Sequence, residues 1–281
     1  MGQERDSYPN GVPNWVDTVH PDPEAAATFY AGLFGWELED LMPPDAPGNY
    51  FMATLNGSDV AAIGSQPEGH DGEATWNTYV AVDSADAAAA KAEDAGGKVL
   101  AGPYDVFEAG RMATLADAEG ATFSVWEAKE RIGAKLVNEP GTWNFSELNT
   151  HDARAAESFY GSVFGWEAAT LELGDGDFTF WRLPGYGDFL AERDPELRER
   201  QAADGAPGGF EDAVAVLVQD GVPPHWSITF AVDDADAAAA KTAELGGTVM
   251  VPPFDAPYVR MTILRDPQGA TFTASKYMPP G

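Results

Sequence analysis

The chain has 281 residues, no cysteine, and 46 acidic against 16 basic side chains, for a formal charge of −30. That balance repels phosphate backbones and anionic membrane faces, and the missing thiols exclude disulfides, thiolate nucleophiles and cysteine metal sites. The opening residues lack a basic and then apolar leader pattern, and no apolar run reaches the length of a membrane span, so a cytoplasmic protein with no nucleic-acid or membrane partner is expected.

Asn14 to His20 alternates as a strand and then meets Asp22-Pro23-Glu24, which supplies an N-cap, a first-turn proline and a first-turn acid. A helix is expected from there, with Phe29, Tyr30, Leu33 and Phe34 on one apolar face and Gly35 as the left-handed stop. Three strands follow at Trp36 to Leu41, Tyr50 to Leu55 and Asp59 to Ile63, the last two joined by Asn56-Gly57, a two-residue hairpin signal. The same order then repeats: a strand from Trp76 to Val82, a helix from Ser84 to Ala95 stopped by Gly96-Gly97, and strands at Lys98 to Asp105, Arg111 to Leu115 and Ala121 to Trp126.

Residues 18–36 return as 148–166, with Phe29-Tyr30 and Phe34-Gly35-Trp36 matched by Phe159-Tyr160 and Phe164-Gly165-Trp166. Residues 76–91 return as 226–241 at a larger offset, which places an insertion at 187–224 of the second copy. A period this long marks duplication of a whole domain, since solenoid units are much shorter. The first domain is read as 1–130, the linker as 131–141 and the second domain as 142–281, each holding two βαβββ units in an α+β fold. Two four-stranded sheets with helices on their outer faces bury themselves by closing into a cup, and a cup holds ligands. The insertion carries Asp194-Pro195-Glu196, which opens a charged helix, and a glycine-rich break from Gly205 to Gly209. It reads either as a lid over one cup or as a surface excursion. The acidic excess with few lysines suits a salt-rich cytosol, and an acidic protein from an alanine-rich proteome reads alike.

The paired helix ends, the Val82-Asp83 and Val232-Asp233 unit starts, and the late turns Asp117-Ala118-Glu119-Gly120 and Asp266-Pro267-Gln268-Gly269 resemble the vicinal oxygen chelate superfamily. That superfamily contains glyoxalase I, extradiol dioxygenases, and the fosfomycin and bleomycin resistance proteins. The resemblance implies two tandem glyoxalase-like domains, each a cupped mixed sheet with helices outside. It also implies metal ligands, commonly His, His and Glu, on three strands of each cup. Carried onto this chain, those positions hold Trp15, Asn77 and Ser124 in the first copy and Phe145, Ser227 and Thr273 in the second. Divalent metals in such sites want imidazole and carboxylate donors, and a shift of one position along any strand brings in no such cluster. Neither a metal nor any other cofactor is therefore expected.

Strand alternation from Trp15 and Phe145 also brings Asp17, Glu147 and Asn149 into the cups. Asn77, Tyr79, Ser124 and Trp126 join the first, and Ser227, Thr229 and Thr273 the second. Such an apolar and aromatic wall with a few amides, hydroxyls and one carboxylate per copy suits a small aromatic or amphipathic organic molecule. A cup filled by its own side chains is the structural alternative. Arg111 and Arg260 hold matching places where a guanidinium either clamps an anionic ligand or closes a rim salt bridge. Trp76, Trp226, Phe29, Tyr30, Phe159 and Tyr160 read as core. His20 and His151, at strand ends, and His70, in a polar loop, read as surface groups, whereas His225 shares strand parity with Ser227 and hangs at the mouth of the second cup. Two functions follow: a binder similar to bleomycin resistance proteins, or a metal-independent lyase, isomerase or hydroxylase-like enzyme moving protons with Glu147, Asp17 or His225. Similar two-domain actinobacterial proteins are often labelled glyoxalase-like or hydroxylase. Both a monomer and a homodimer fit the sequence.

Overall fold

A computed structural model describes residues 3–67, 69, 72–173, 176–203, 206, 208–219 and 221–279. A short strand β1 (Gln3–Glu4) precedes the first copy, which runs β2 (Pro13–His20), α1 (Pro23–Phe34), β3 (Glu37–Asp40), β4 (Tyr50–Leu55), β5 (Ser58–Ser65), β6 (Thr75–Ala81), α2 (Ala85–Asp94), β7 (Lys98–Val106), β8 (Gly110–Ala116) and β9 (Thr122–Ala128). The linker carries β10 (Leu136–Val137), which pairs with β1. The second copy runs β11 (Trp143–Thr150), α3 (Ala153–Phe164), β12 (Glu167–Leu173), β13 (Gly176–Arg182), α4 (Tyr186–Arg193), α5 (Leu197–Ala203), a 3-10 turn at Phe210–Asp212, β14 (Ala213–Gln219), β15 (His225–Ala231), α6 (Ala235–Glu244), β16 (Thr248–Ala256), β17 (Val259–Arg265) and β18 (Thr271–Tyr277).

Local chemistry explains these elements. The Asp22 carboxylate accepts from Ala25 N at the start of α1 and the Asp152 carboxylate caps α3, while Gly35 and Gly165 stop both helices in the left-handed region. Asn56 and Gly57 both take positive φ, the two-residue turn their sequence called for.

Each copy forms one continuous eight-stranded sheet, in the orders β3-β4-β5-β2-β6-β9-β8-β7 and β12-β13-β14-β11-β15-β18-β17-β16, rather than two separate four-stranded ones. The joint is the antiparallel pairing of β2 with β6 and of β11 with β15, which puts the first strands of both units at the middle of one concave surface. The expected insertion of 187–224 is shorter in the fold, because its last part, Ala213–Gln219, is the strand β14 of the sheet itself.

The convex faces carry the helices and meet each other. Thr78 Oγ1 on β6 lies 2.7 Å from Ser146 Oγ on β11. Helix α1 packs its Tyr30 and Phe34 rings against Phe272, and Phe34 also meets Phe230 of the second copy. In return α3 sets Phe159, Tyr160 and Phe164 on Phe123 of the first copy. Trp76 and Trp226 are buried in these layers, as are Phe29 and Phe159. Among the described residues no helix is long and apolar enough to cross a membrane.

Candidate functional site

On the first concave face β2 presents Trp15 and Asp17, directly opposite Tyr79 and Asn77 of β6. The Asp17 carboxylate is 3% exposed and accepts from Asn77 Nδ2 at 2.9 Å, Tyr79 OH at 2.8 Å and Tyr50 OH at 3.2 Å. Trp15 Nε1 in turn donates to Tyr50 OH at 3.1 Å. Burial pushes the Asp17 carboxyl above its ordinary range, against the pull of those three donors, and burial together with the carboxylate raises both tyrosines well above theirs. Ser124 sits beside Tyr79 in register with its hydroxyl 3.3 Å from that of Thr114, and Trp126 Nε1 donates to Arg131 O of the linker at 2.7 Å. The predicted lining is thus brought together, but it bonds to itself. A cavity of about 220 Å³ lies toward the outer strands, lined by Glu37, Glu39, Met52, Thr54, Asp59 and Arg131. That is below the several hundred Å³ usual for a small-molecule site.

The second concave face has the same plan with different side chains. Phe145 and Glu147 of β11 face Thr229 and Ser227 of β15. Phe145, Glu147 and Ser227 are all partly exposed, while Thr229 and Thr273 are adjacent and buried. Glu147 Oε1 accepts from Thr229 Oγ1 at 2.6 Å, and Asn149 Nδ2 donates to Ser227 Oγ at 3.1 Å. Burial raises the Glu147 carboxyl above its ordinary range, and the Thr229 hydroxyl and nearby His225 pull it back.

The two tyrosines that close the first face have no counterparts here. Thr229 stands where Tyr79 does, and Phe178 takes the register place of Tyr50. Phe178 stacks on Phe180 at 6.0 Å, and Phe210 lies 5.5 Å from Phe180 and 6.5 Å from Phe145, which makes an aromatic wall across from Glu147. His225 is exposed at the mouth with Nδ1 2.7 Å from Pro223 O. A carbonyl only accepts, so Nδ1 carries the proton and Nε2 is the acceptor of the neutral ring.

Three expectations need correction. Arg111 and Arg260 do not face the concave surfaces: Arg111 makes a fork with Asp86 of α2 at 2.7 and 3.1 Å, and Arg260 one with Asp236 of α6 at 2.6 and 2.9 Å. They tie strand to helix. His20 is not a surface group but fully buried, its Nε2 3.0 Å from Thr18 Oγ1 and 3.5 Å from Asp266 of the second copy. The helices of the insertion do not cover a cup either: Tyr186, Leu190 and Leu197 pack into the core beside Val12 and Trp166, and Arg193 reaches Asp6. From the insertion, Phe210 reaches the second concave face, against Phe145 and Phe180. His151 is exposed as expected, and His70 lies outside the described residues.

Sequence reasoning missed Tyr50, Phe178, Phe180, Phe210 and Arg265. The alternation Phe178-Thr179-Phe180 carried a signal for two of them. Arg265 could have been found from the tight turn Asp266 to Gly269, which sets it opposite Thr271, on the same face as Thr273 and Ser275.

The chain matches the Glyoxalase/Bleomycin resistance protein/Dioxygenase superfamily over residues 13–125 and again over 143–273. It belongs to that superfamily. CFP32 of Mycobacterium tuberculosis, which bears a glyoxylase name, is 41% identical over 279 residues, covering 98% of both chains. The anthracycline biosynthesis protein DnrV of Streptomyces peucetius is 36% identical over 276 residues, covering 94% of this chain and 92% of its own. Among solved structures, the Mn(II)-bound glyoxalase from Novosphingobium aromaticivorans superposes with a TM-score of 0.60 at 16% identity, covering 98% of this chain and 83% of that one. The 2,3-dioxygenase LapB from Pseudomonas sp. KL28 gives 0.59 at 12%, covering 97% and 95%. At such identities the likeness is one of fold.

The superfamily's metal does not fit the residues present here. Indole, amide and hydroxyl stand at the three expected positions of one sheet, and phenyl and two hydroxyls at those of the other. Among the described residues no three His, Cys, Asp or Glu side chains converge.

Proposed function

We propose that the concave face of the second copy binds a small aromatic or amphipathic organic molecule, and that the first face is its closed, structural counterpart. One observation carries this reading: at matching places the first copy buries Trp15 and Asp17 in a completed hydrogen-bond network, whereas the second leaves Phe145 and Glu147 partly exposed beside the wall of Phe178, Phe180 and Phe210. Aromatic pairs of this kind add about 0.5–1.5 kcal/mol each beyond the area they bury, which suits a planar guest. DnrV, named for the biosynthesis of a planar polycyclic class, supports the choice of probe.

Daunorubicin titrated into the full chain is expected to lose fluorescence at one equivalent, and Phe145→Ala to weaken that binding about tenfold, or roughly 1.4 kcal/mol. Equal binding by the parent and Phe145→Ala would remove the second face as the site.

A second reading is favoured by Glu147, whose carboxyl is raised by burial yet reachable, with the His225 imidazole at the same mouth. Such a pair suits proton transfer in a lyase or isomerase reaction that draws on no metal. It differs from the binder in requiring turnover.

A further inference from the structure

We propose that the second concave face anchors its guest through an oxyanion, a carboxylate or sulfonate, held by Arg265. The proposal rests on the reading of that face as the ligand site and adds the charge of the guest.

Arg265 ends β17 directly opposite Thr271 of β18. Its neighbours in the pairing, Leu264 and Phe272, are both buried in the helix-covered layer, so Arg265 and Thr271 point to the concave side. Arg265 Nε donates to Thr271 Oγ1 at 3.3 Å, which leans the guanidinium from β17 toward the middle of the sheet. Glu147 pairs with Ser227, and two residues back from the Thr229 and Thr273 pair Ser227 comes level with Thr271. Glu147, Ser227, Thr271 and Arg265 thus form one row across β11, β15, β18 and β17. Three strand spacings of about 4.8 Å separate the carboxyl from the guanidinium along that row. No ion pair joins them, and a guest lying along the row meets a cation at one end and an acid at the other.

The charge setting makes Arg265 unusual. In a chain with 46 acidic and 16 basic residues, the arginines that could have faced the cups are spoken for: Arg111 by Asp86, Arg260 by Asp236, Arg131 by Asp59 and Arg182 by Glu167. Among the described residues no carboxylate pairs with Arg265, although it is only partly exposed. Its outer nitrogens keep the planar fork that receives a carboxylate through two parallel hydrogen bonds. The first copy has Ala116 at the same place before its turn, so the anchor belongs to the open face alone. Glu147, which accepts from Thr229 Oγ1 at 2.6 Å, presents its carboxyl at the far end of the row to the guest's neutral end.

The test uses two probes with one ring system, 1-anilinonaphthalene-8-sulfonate and the neutral N-phenyl-1-naphthylamine, titrated by fluorescence into the full chain and its Arg265→Gln, Arg265→Lys and Phe145→Ala variants. The parent is expected to hold the sulfonate at least as tightly as the neutral probe, against its own net charge of −30. Arg265→Gln should weaken the sulfonate tenfold or more and leave the neutral probe within twofold, whose binding also reports an intact fold; Arg265→Lys should recover part of the loss. Phe145→Ala should weaken both. If Arg265→Gln moves both probes equally or neither, while Phe145→Ala weakens both, the oxyanion anchor is wrong and the aromatic site stands. If Phe145→Ala moves neither, the site itself falls and the anchor with it.

Discussion

Asp17 and Glu147 occupy matching places on the first strands of their copies and differ in how many donors meet them. Asp17 receives an amide and two phenols, Glu147 a single threonine hydroxyl. Both carboxyls are raised by burial first of all. A Glu147 value raised on folding favours the fold while the group stays protonated, and that advantage is lost as pH rises through the folded value. Glu147→Gln keeps the acceptor for Thr229 and removes the titration. Its melting temperature should therefore match the parent's near pH 4, below the ordinary glutamate range, and rise above it progressively toward pH 8. A constant difference across that range would mean that the carboxyl does not titrate differently on folding.

The helices α1 and α3 each serve the other copy as much as their own. Tyr30 OH accepts from Trp76 Nε1 at 3.0 Å and donates to Asp266 of the second copy at 2.8 Å; Tyr160 OH accepts from Trp226 Nε1 at 2.9 Å and donates to Asp117 of the first at 3.0 Å. Removing either phenol strands a buried indole N–H, at a cost of about 1–3 kcal/mol, and takes one donor from a buried carboxylate that keeps two backbone N–H partners. Tyr30→Phe and Tyr160→Phe should each lower the urea midpoint by a similar amount without changing the slope. A loss confined to one of them would break the reciprocity. The helices themselves were legible in the sequence, because Asp22, Asp152, Gly35 and Gly165 mark their ends and the aromatic stripe marks one face. Where that stripe docks was not legible, since no local pattern names a partner in the other copy, 236 residues away for Tyr30 and 43 for Tyr160. The concave residues of β2, β6, β11 and β15 were legible because a period of two fixes a face once one position is known. Arg111 and Arg260 were misplaced for want of a register: only the pairing of Met112 with Trp126 and of Met261 with Ser275 shows that the arginines turn toward the helices. Arg265 was missed for the same reason, on the opposite face.

The duplication reads as two domains in the sequence and as one body with two shared aromatic layers in the fold. The aromatic layer under the second sheet contains Phe230 and Phe272 from the second copy and Tyr30, Phe34 and Trp36 from the first, with Phe34 and Phe230 rings 4.8 Å apart. The layer under the first sheet likewise gathers Phe123 with Tyr160 and Phe164. Trp36 Nε1 donates to Gly141 O and Trp166 Nε1 to Gly11 O, both at 2.7 Å, so each copy's helix end is also pinned to the entry strand region of the other. Cutting the chain after residue 141 would uncover both layers at once, and deleting one large buried aromatic alone costs about 3–5 kcal/mol, a sizeable part of the 5–15 kcal/mol that holds an ordinary domain. Residues 142–281 expressed alone should then show no cooperative thermal transition, while mixing or co-expressing them with residues 1–141 should restore a single one at the parent's midpoint. A sharp transition in the isolated second half, with daunorubicin still bound, would show instead that the open face is carried by a self-sufficient domain and that the shared aromatic layers add only to its stability.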